Sequence, residues 1–104
     1  MIEHAYLDWS FEQDKFHNYK FVIVGDKEHS ILPTNRVKLG VIGRPDYQYG
    51  TVLDLENGAL IIHTEEWLDI SEEYSIELCD DSFEHWKAIK IYFMASKFAY
   101  LKKQ

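Results

Sequence analysis

Residues 51–64 carry the pattern that most constrains how this chain folds. Asn57-Gly58 is a preferred pair for a two-residue type I′ turn, because both positions of that turn need positive φ. Such a turn sets the register of the strands on either side and places an apolar face on one side of the hairpin. The pairs predicted on that face are Leu55 with Leu60 and Leu53 with Ile62, while Val52 falls on the opposite, more polar face.

Three further segments have the alternation or the β-branched and aromatic composition of strands. They are Lys20–Val24, Arg36–Ile42 and Tyr74–Cys79. The opening segment is ambiguous, because Ser10–Asn18 begins like a capped helix whereas Ala5–Phe11 alternates weakly, as a strand would. The helix is slightly favoured there. Thr64–Asp69 is either a short helical turn or a continuation of the hairpin.

A long helix is predicted for the C-terminal residues, from Asp80, Asp81 or Ser82 onwards. Acids lie near its start and lysines near its end, which suits the helix dipole. These are Asp80, Asp81, Lys97, Lys102 and Lys103. The length of 104 residues fits one core. The predicted fold is therefore a single α+β domain over residues 1–104, with an antiparallel sheet of about four to six strands and the long C-terminal helix packed on one face.

Charge is segregated along the chain. The net charge is −7, and residues 45–86 hold twelve acids without one Lys or Arg. The rest of the chain carries eleven basic and six acidic side chains. A segment of one sign is either a solvated face that aids solubility or a field that steers a basic partner. Direct binding of nucleic acid through this segment is disfavoured, because it would repel phosphates.

Aromatic side chains are interleaved with these acids. Trp67 and Tyr74 stand among carboxylates, and aromatic anchors supply much of the truncation-sensitive affinity at protein interfaces. Each of the two could equally be a core residue. The residues predicted to bind a basic protein partner are Asp54, Glu56, Glu65, Glu66, Trp67, Asp69, Glu72, Glu73 and Tyr74.

No motif indicates catalysis, a cofactor or a metal, so the chain is predicted not to be an enzyme. The five histidines lack the spacing of a zinc motif. Asp81, Glu84 and His85 lie close together in sequence, but capping and the helix dipole explain the two acids. Cys79 has no local signature of a nucleophile and suits a buried or half-buried strand position.

A basic and aromatic group precedes the acidic segment, namely Arg36, Lys38, Arg44, Tyr47 and Tyr49. A small ribonuclease could use such residues to hold a phosphate. The acidity of the whole chain argues against that interpretation, because a nuclease must attract a polyanion. The cations are better explained as a balance to the acids or as protection of an exposed strand edge.

In size and charge the chain resembles bacterial immunity proteins, which are small, acidic and cytoplasmic and are paired with nuclease toxins. The resemblance covers this profile and no alignable stretch, so it transfers no residue roles. It implies that carboxylates would occlude the basic groups with which a toxin binds its phosphate-bearing substrate. Three alternatives stay open: a nucleic-acid mimic or adaptor, a small-molecule-binding or enzymatic domain with a site assembled from scattered residues, and a subunit that self-associates through the C-terminal helix.

The expected location is the cytoplasm, without a membrane partner. Met1–His4 lacks the basic start and apolar core of a secretory signal. The longest apolar runs, such as Ala59–Ile62 and Ile91–Ala95, are too short to span a bilayer. The lone Cys79 cannot form an internal disulfide, which fits a reducing compartment.

Overall fold

A computed structural model of the protein describes residues 1–8 and 17–79. This part of the chain forms a closed barrel of antiparallel strands. The strands are β1 (Ile2–Leu7), β2 (Asn18–Ile23), β3 (Arg36–Val41), β4 (Tyr47–Glu56), β5 (Ala59–Thr64) and β6 (Glu73–Cys79). Around the barrel they follow the order β1-β2-β5-β4-β3-β6.

The path of the chain contains a Greek key. β3, β4 and β5 are successive antiparallel neighbours, and β6 returns to lie beside β3. β1 then closes the barrel, because it pairs with both β2 and β6. Closure leaves the six strands without an open edge at which another strand could add.

The β4–β5 hairpin confirms the predicted turn. Asn57 and Gly58 have φ values of 35° and 81°, both positive as a type I′ turn requires. Leu55 pairs with Leu60, as the sequence predicts. The strong local preference of the Asn-Gly pair therefore determines this end of the hairpin.

Further along the hairpin the predicted register is wrong. The register shifts between Val52 and Asp54, so that Val52 and not Leu53 pairs with Ile62. A bulge adds one residue to β4 here, and one extra residue reverses which side chain points into the barrel. Val52 is accordingly fully buried in the interior cluster, whereas Leu53 is buried outside it.

The barrel interior is filled by one side of every strand. In β3 the predicted alternation is confirmed, since Val37 and Leu39 are buried. At Gly50 of β4 an added Cβ would lie 2.6 Å from Cγ2 of Ile62, so the close approach of β4 to β5 requires glycine. The interior cluster comprises Ile2, Ala5, Leu7, Tyr19, Phe21, Ile23, Ile31, Val37, Leu39, Val52, Leu60, Ile62, Leu68, Tyr74 and Ile76.

The predicted α+β class is wrong for the described residues, which are all-β and contain no helix. The sequence pattern does not single out Ile2–Leu7 as a strand, and it is this strand that joins β2 to β6. The sheet therefore closes on itself instead of offering one face to a helix. Residues 9–16 and 80–104 lie outside the described residues, and they include the predicted C-terminal helix and most of the predicted helix Ser10–Asn18, whose last residue instead begins β2. Within residues 1–8 and 17–79 no helix is long and apolar enough to cross a membrane.

The outside of the barrel differs in exposure from one strand to another. The outward side chains of β5, Ala59 and Ile61, are only 7% and 1% exposed. Tyr47 and Tyr49, which point outwards from β4 beside β3, are 55% and 43% exposed. Among the described residues, the outer face of β4 beside β3 thus offers large aromatic side chains to solvent, whereas the outer face of β5 is covered.

Candidate protein-binding site

Residues 65–72 connect β5 to β6 across one end of the barrel, and we call them the acidic connection. The same end carries the β3–β4 turn at residues 42–46, because β3 and β5 both run towards it. The connection is irregular beyond Thr64, so the helical turn and the longer hairpin considered for this segment are both absent. The predicted binding residues that it contains are Glu65, Glu66, Trp67, Asp69 and Glu72.

Two buried tyrosines hold the acidic connection on the barrel. The Tyr19 hydroxyl accepts a hydrogen bond of 2.9 Å from the Leu68 amide, and the Leu68 side chain is itself buried. The Tyr74 hydroxyl donates a bond of 2.8 Å to the Asp69 carbonyl, while its ring meets Phe21 edge-on at 5.6 Å. Tyr74 is 2% exposed, so the structure places it beneath the site rather than on it.

Burial raises the pKa of both phenols. For Tyr74 desolvation is the largest cause, and the negative charges of Asp69 and Glu72 add to it and bring the pKa to about 12. Desolvation also raises the pKa of Tyr19, although the hydrogen bond from Leu68 acts in the opposite direction. Both hydroxyls are therefore protonated at neutral pH, as the donation from Tyr74 to a carbonyl requires.

Trp67 is the most exposed large side chain of the acidic connection, at 60%. Its ring lies 3.9 Å from the His17 ring, centroid to centroid, with 40° between the planes. His17 is held in turn, since its Nδ1 lies 3.1 Å from the Glu65 carbonyl and its own carbonyl accepts a bond from the Thr64 amide. The indole therefore rests on a fixed support and keeps most of its surface open to solvent.

Hydrogen bonds order the C-terminal half of the acidic connection. The Asp69 carboxylate accepts bonds of 2.6 Å from the Ser71 hydroxyl and 2.9 Å from the Ser71 amide. These two bonds are the main causes that lower the pKa of Asp69, so it is charged at neutral pH. Glu72 forms an ion pair of 2.7 Å with Arg44, which ties the connection to the β3–β4 turn.

The predicted binding residues do not all lie together. Asp54 and Glu56 are near the Asn57-Gly58 turn, at the opposite end of β5, which is about 17 Å long at 3.3 Å per residue. Glu56 forms an ion pair of 3.3 Å with Lys20, and Asp54 accepts a bond from the next amide. Neither can join Trp67 in one small patch.

Glu73 stands at the start of β6, next to the acidic connection, and its carboxylate is 2.9 Å from His4 Nδ1. Glu65 and Glu66 immediately precede Trp67 in the sequence and are exposed, and neither forms an ion pair with another described residue. The described site thus consists of one supported aromatic ring, two exposed carboxylates on the residues just before it, and further acids along the same connection.

A second surface lies on the outer face of β3 and β4, and its geometry could not be read from the sequence. Lys38 Nζ lies 4.1 Å from the centre of the Tyr47 ring, and the Arg36 guanidinium lies 5.7 Å from that of Tyr49. The two rings contact each other edge-on at 5.8 Å. We call these four residues the cation–tyrosine face. The alternation of side chains in β3 and β4 is the sequence pattern that could have indicated this surface, because it directs all four residues outwards.

The sequence also suggested a metal site and a reactive cysteine as candidates. Within residues 1–8 and 17–79 no group of three His, Cys, Asp or Glu side chains could hold a metal ion. The cluster of Asp81, Glu84 and His85 lies outside the described residues. The Cys79 thiol is half-buried and points towards the Glu77 carbonyl at 3.9 Å.

Comparison of the chain with models of protein families, with curated proteins and with solved structures finds no match.

Proposed function

We propose that this chain is a protein-binding domain that covers a basic surface of a partner protein with its acidic connection. The observation that carries the proposal is the presentation of Trp67, which is 60% exposed, rests on His17 and directly follows Glu65 and Glu66 in the sequence. The part of the ring that does not contact His17 lies in solvent and adds little to the stability of a monomer. Trp67 is the kind of side chain that anchors a protein interface.

The carboxylates give the proposed interface its preference for cations. Glu65 and Glu66 are the two residues before Trp67 and are exposed, and the structure pairs neither with a described cation. Asp69 adds a charge that its hydrogen bonds to Ser71 maintain. Charges of one sign at the rim of an interface steer encounter with the opposite sign, whereas the buried ring prolongs the bound state.

Order in the free protein also favours binding. The Tyr19 and Tyr74 hydroxyls, the Asp69–Ser71 bonds and the Arg44–Glu72 ion pair hold the acidic connection in place before a partner arrives. A preorganised loop loses less conformational entropy on binding than a mobile one, so more of the contact energy appears as affinity.

The partner class that we favour is a nuclease-type toxin. A protein that cleaves nucleic acid needs a basic surface to hold phosphates. An acidic loop that covers those cations would block the substrate without any chemistry of its own, which is the mode of an immunity protein. The expected cytoplasmic location is part of this proposal.

Binding kinetics across a salt series test the proposal once a partner has been isolated. Between about 0.01 M and about 1 M salt the Debye length falls from ~30 Å to ~3 Å, so the association rate should fall steeply. Reversal of charge by Glu65→Lys and Glu66→Lys should lower the association rate and its salt dependence. Trp67→Ala should act mainly on dissociation and weaken the complex by at least about tenfold.

Two matched variants serve as controls. Leu32 is also 60% exposed but lies in the β2–β3 connection at the other end of the barrel, and Glu28 is an exposed acid of the same connection. Leu32→Ala and Glu28→Lys should leave both rates unchanged. If the Trp67 and Glu65/Glu66 variants remain folded in thermal melts and bind like these controls, the acidic connection is a solvated loop and the proposal is wrong.

A further inference from the structure

The cation–tyrosine face borders a groove that the proposed function does not use. The groove has a volume of about 230 Å³ and runs along the outside of β3 towards the β3–β4 turn. Gly40 forms part of its floor, flanked by Tyr47 on β4 and by Ser75 on β6. Its lining includes Lys38, Arg44, Pro45 and Tyr47. It is thus a shallow site with aromatic and aliphatic walls and cations close to them.

Glycine is what keeps this groove open. A Cβ at residue 40 would stand 2.9 Å from the Ser75 hydroxyl and would project into the depression between the two neighbouring strands. Gly40 does not have positive φ, so the backbone there does not itself require glycine. The absence of a side chain at residue 40 is therefore required by the shape of the groove and not by the backbone conformation of β3.

The chemistry of the groove fits an aromatic side chain that has carboxylates beside it. Lys38 can lie over an inserted ring and pair with a neighbouring acid, and Trp is the best ring for such a contact, whereas Arg44 is already paired with Glu72 of its own chain. Tyr and Arg are enriched at the centres of protein interfaces. Asp46 and Glu77 also line the groove and balance its two cations, so it lacks the net positive charge that a polyanion such as nucleic acid needs, while Lys38 can still pair with a single carboxylate.

This chain itself presents the matching group. Trp67 is an exposed indole that follows Glu65 and Glu66 in the sequence, and it lies at the same end of the barrel as the mouth of the groove. We propose that a second copy of this chain occupies the groove: Trp67 of one copy lies beside Lys38 and Tyr47 of the other, and Glu66 faces Lys38.

Barrel topology allows this contact to be made twice in one dimer. Trp67 is supported by His17, which immediately precedes β2, whereas the groove is centred on β3. In the closed order β2 and β3 are separated by two strands in either direction, so they lie on opposite sides of the barrel. A twofold axis perpendicular to the barrel axis then brings each Trp67 to the groove of the other copy. The result is a closed dimer rather than an open filament.

The dimer would hide the acidic connection that the proposed function assigns to a basic partner. Self-association and partner binding would then compete for Trp67, and release of the monomer would precede capture of the partner. The dimer is tested with the protein alone. If the protein alone does not dimerise, the proposed function is unaffected. If the acidic connection does not bind a basic partner, the dimer proposal is unaffected.

The test is sedimentation equilibrium of the unmodified chain at low and high salt. We expect a monomer–dimer equilibrium that weakens as salt rises from about 0.01 M to about 1 M. Trp67→Ala and Lys38→Glu should each raise the dissociation constant of the dimer by at least about tenfold. Gly40→Ala, which fills the floor of the groove with a methyl group, should also weaken the dimer while thermal melts stay close to those of the unmodified chain.

A charge exchange separates direct contact from a general effect of net charge. Glu66→Lys alone should weaken the dimer, and Lys38→Glu combined with Glu66→Lys should restore most of the lost affinity, because the ion pair is re-formed across the interface with its signs reversed. The matched control exchange, Lys27→Glu with Glu28→Lys at the other barrel end, should have no effect. A chain that is monomeric at all concentrations, or a dimer indifferent to Trp67→Ala and to the exchange, would overturn the proposal.

Discussion

At the scale of single residues, Tyr19 and Tyr74 decide how Trp67 is presented, although neither reaches the surface. Their rings belong to the barrel interior, and their hydroxyls hold the backbone of residues 68 and 69 directly after the tryptophan. A buried hydroxyl without a partner destabilises a fold, so these two bonds link the packing of the core to the conformation of the acidic connection. The ordered state of the candidate site is therefore partly a property of the core.

The raised pKa of Tyr74 predicts a loss of stability in alkali. The folded pKa is about 12 and the ordinary value is 10.0, so the unfolded chain releases this proton first as pH rises. The stabilisation is fully present below about pH 10 and is lost as pH approaches about 12, by an amount on the order of 2 kcal/mol. Urea unfolding at pH values across this window measures the loss.

Tyr74→Phe is the matched variant for the alkaline prediction. It removes the titrating hydroxyl and the bond to Asp69, so stability at neutral pH should fall by about 1 kcal/mol. In this variant the free energy of unfolding should fall less between about pH 10 and about pH 12 than it does in the unmodified chain. An unchanged decline in the variant would mean that other groups cause the alkaline loss.

At the scale of elements, β4 determines how the barrel is shaped. A bulge between Val52 and Asp54 changes which of its side chains point inwards, and Gly50 lets it approach β5 closely. Bulges and glycines in barrel strands provide local bending, which closure of a small sheet demands. The outward residues before the bulge, Tyr47 and Tyr49, owe their shared direction to this strand.

Replacement of Gly50 by Ala should destabilise the fold by about 1–3 kcal/mol through overpacking. The added methyl would stand 2.6 Å from Ile62 and 3.0 Å from the His63 carbonyl, and the carbonyl belongs to the β5 backbone. Gly40→Ala is the control, because its only close contact is the rotatable Ser75 hydroxyl. Denaturant unfolding that shows equal stability for both variants would contradict this account of β4.

At the scale of the whole molecule, the fold depends most on closure of the barrel. β1 contributes one short strand, yet it pairs along both sides and connects β2 with β6. Its inward residues Ala5 and Leu7 are buried in the interior cluster. Without β1 the remaining strands would form an open sheet with two unpaired edges and an uncovered core.

A chain that begins at Asp8 should therefore lose cooperative unfolding. The expected result is a broad thermal transition by circular dichroism, with aggregation detected by light scattering, because the edges of β2 and β6 would be exposed. Val24→Ala, a change at a half-exposed position just after β2, is the control and should preserve a single sharp transition. A shortened chain that unfolds as sharply and at the same temperature would show that closure by β1 is dispensable.

The sequence by itself determined the local features of this protein. Asn57-Gly58 specifies the β4–β5 turn, because only a few residues adopt positive φ at low cost. The alternation of β3 specifies which of its residues are buried. The positions of Glu65, Glu66 and Trp67 in a segment without cations could also be read directly, so the chemical character of the candidate site was predictable.

Only the tertiary structure decided the features that depend on residues far apart in the chain. Closure rests on the pairing of β1 with β6, some seventy residues away, and no local pattern encodes a partner at that distance. The burial of Tyr74, the exposure of Trp67 and the separation of Asp54 from both also depend on contacts between distant parts of the chain. Trp67 and Tyr74 have the same kind of acidic neighbours in sequence, and they differ because Tyr74 points into a closed barrel while Trp67 lies on the loop across its end.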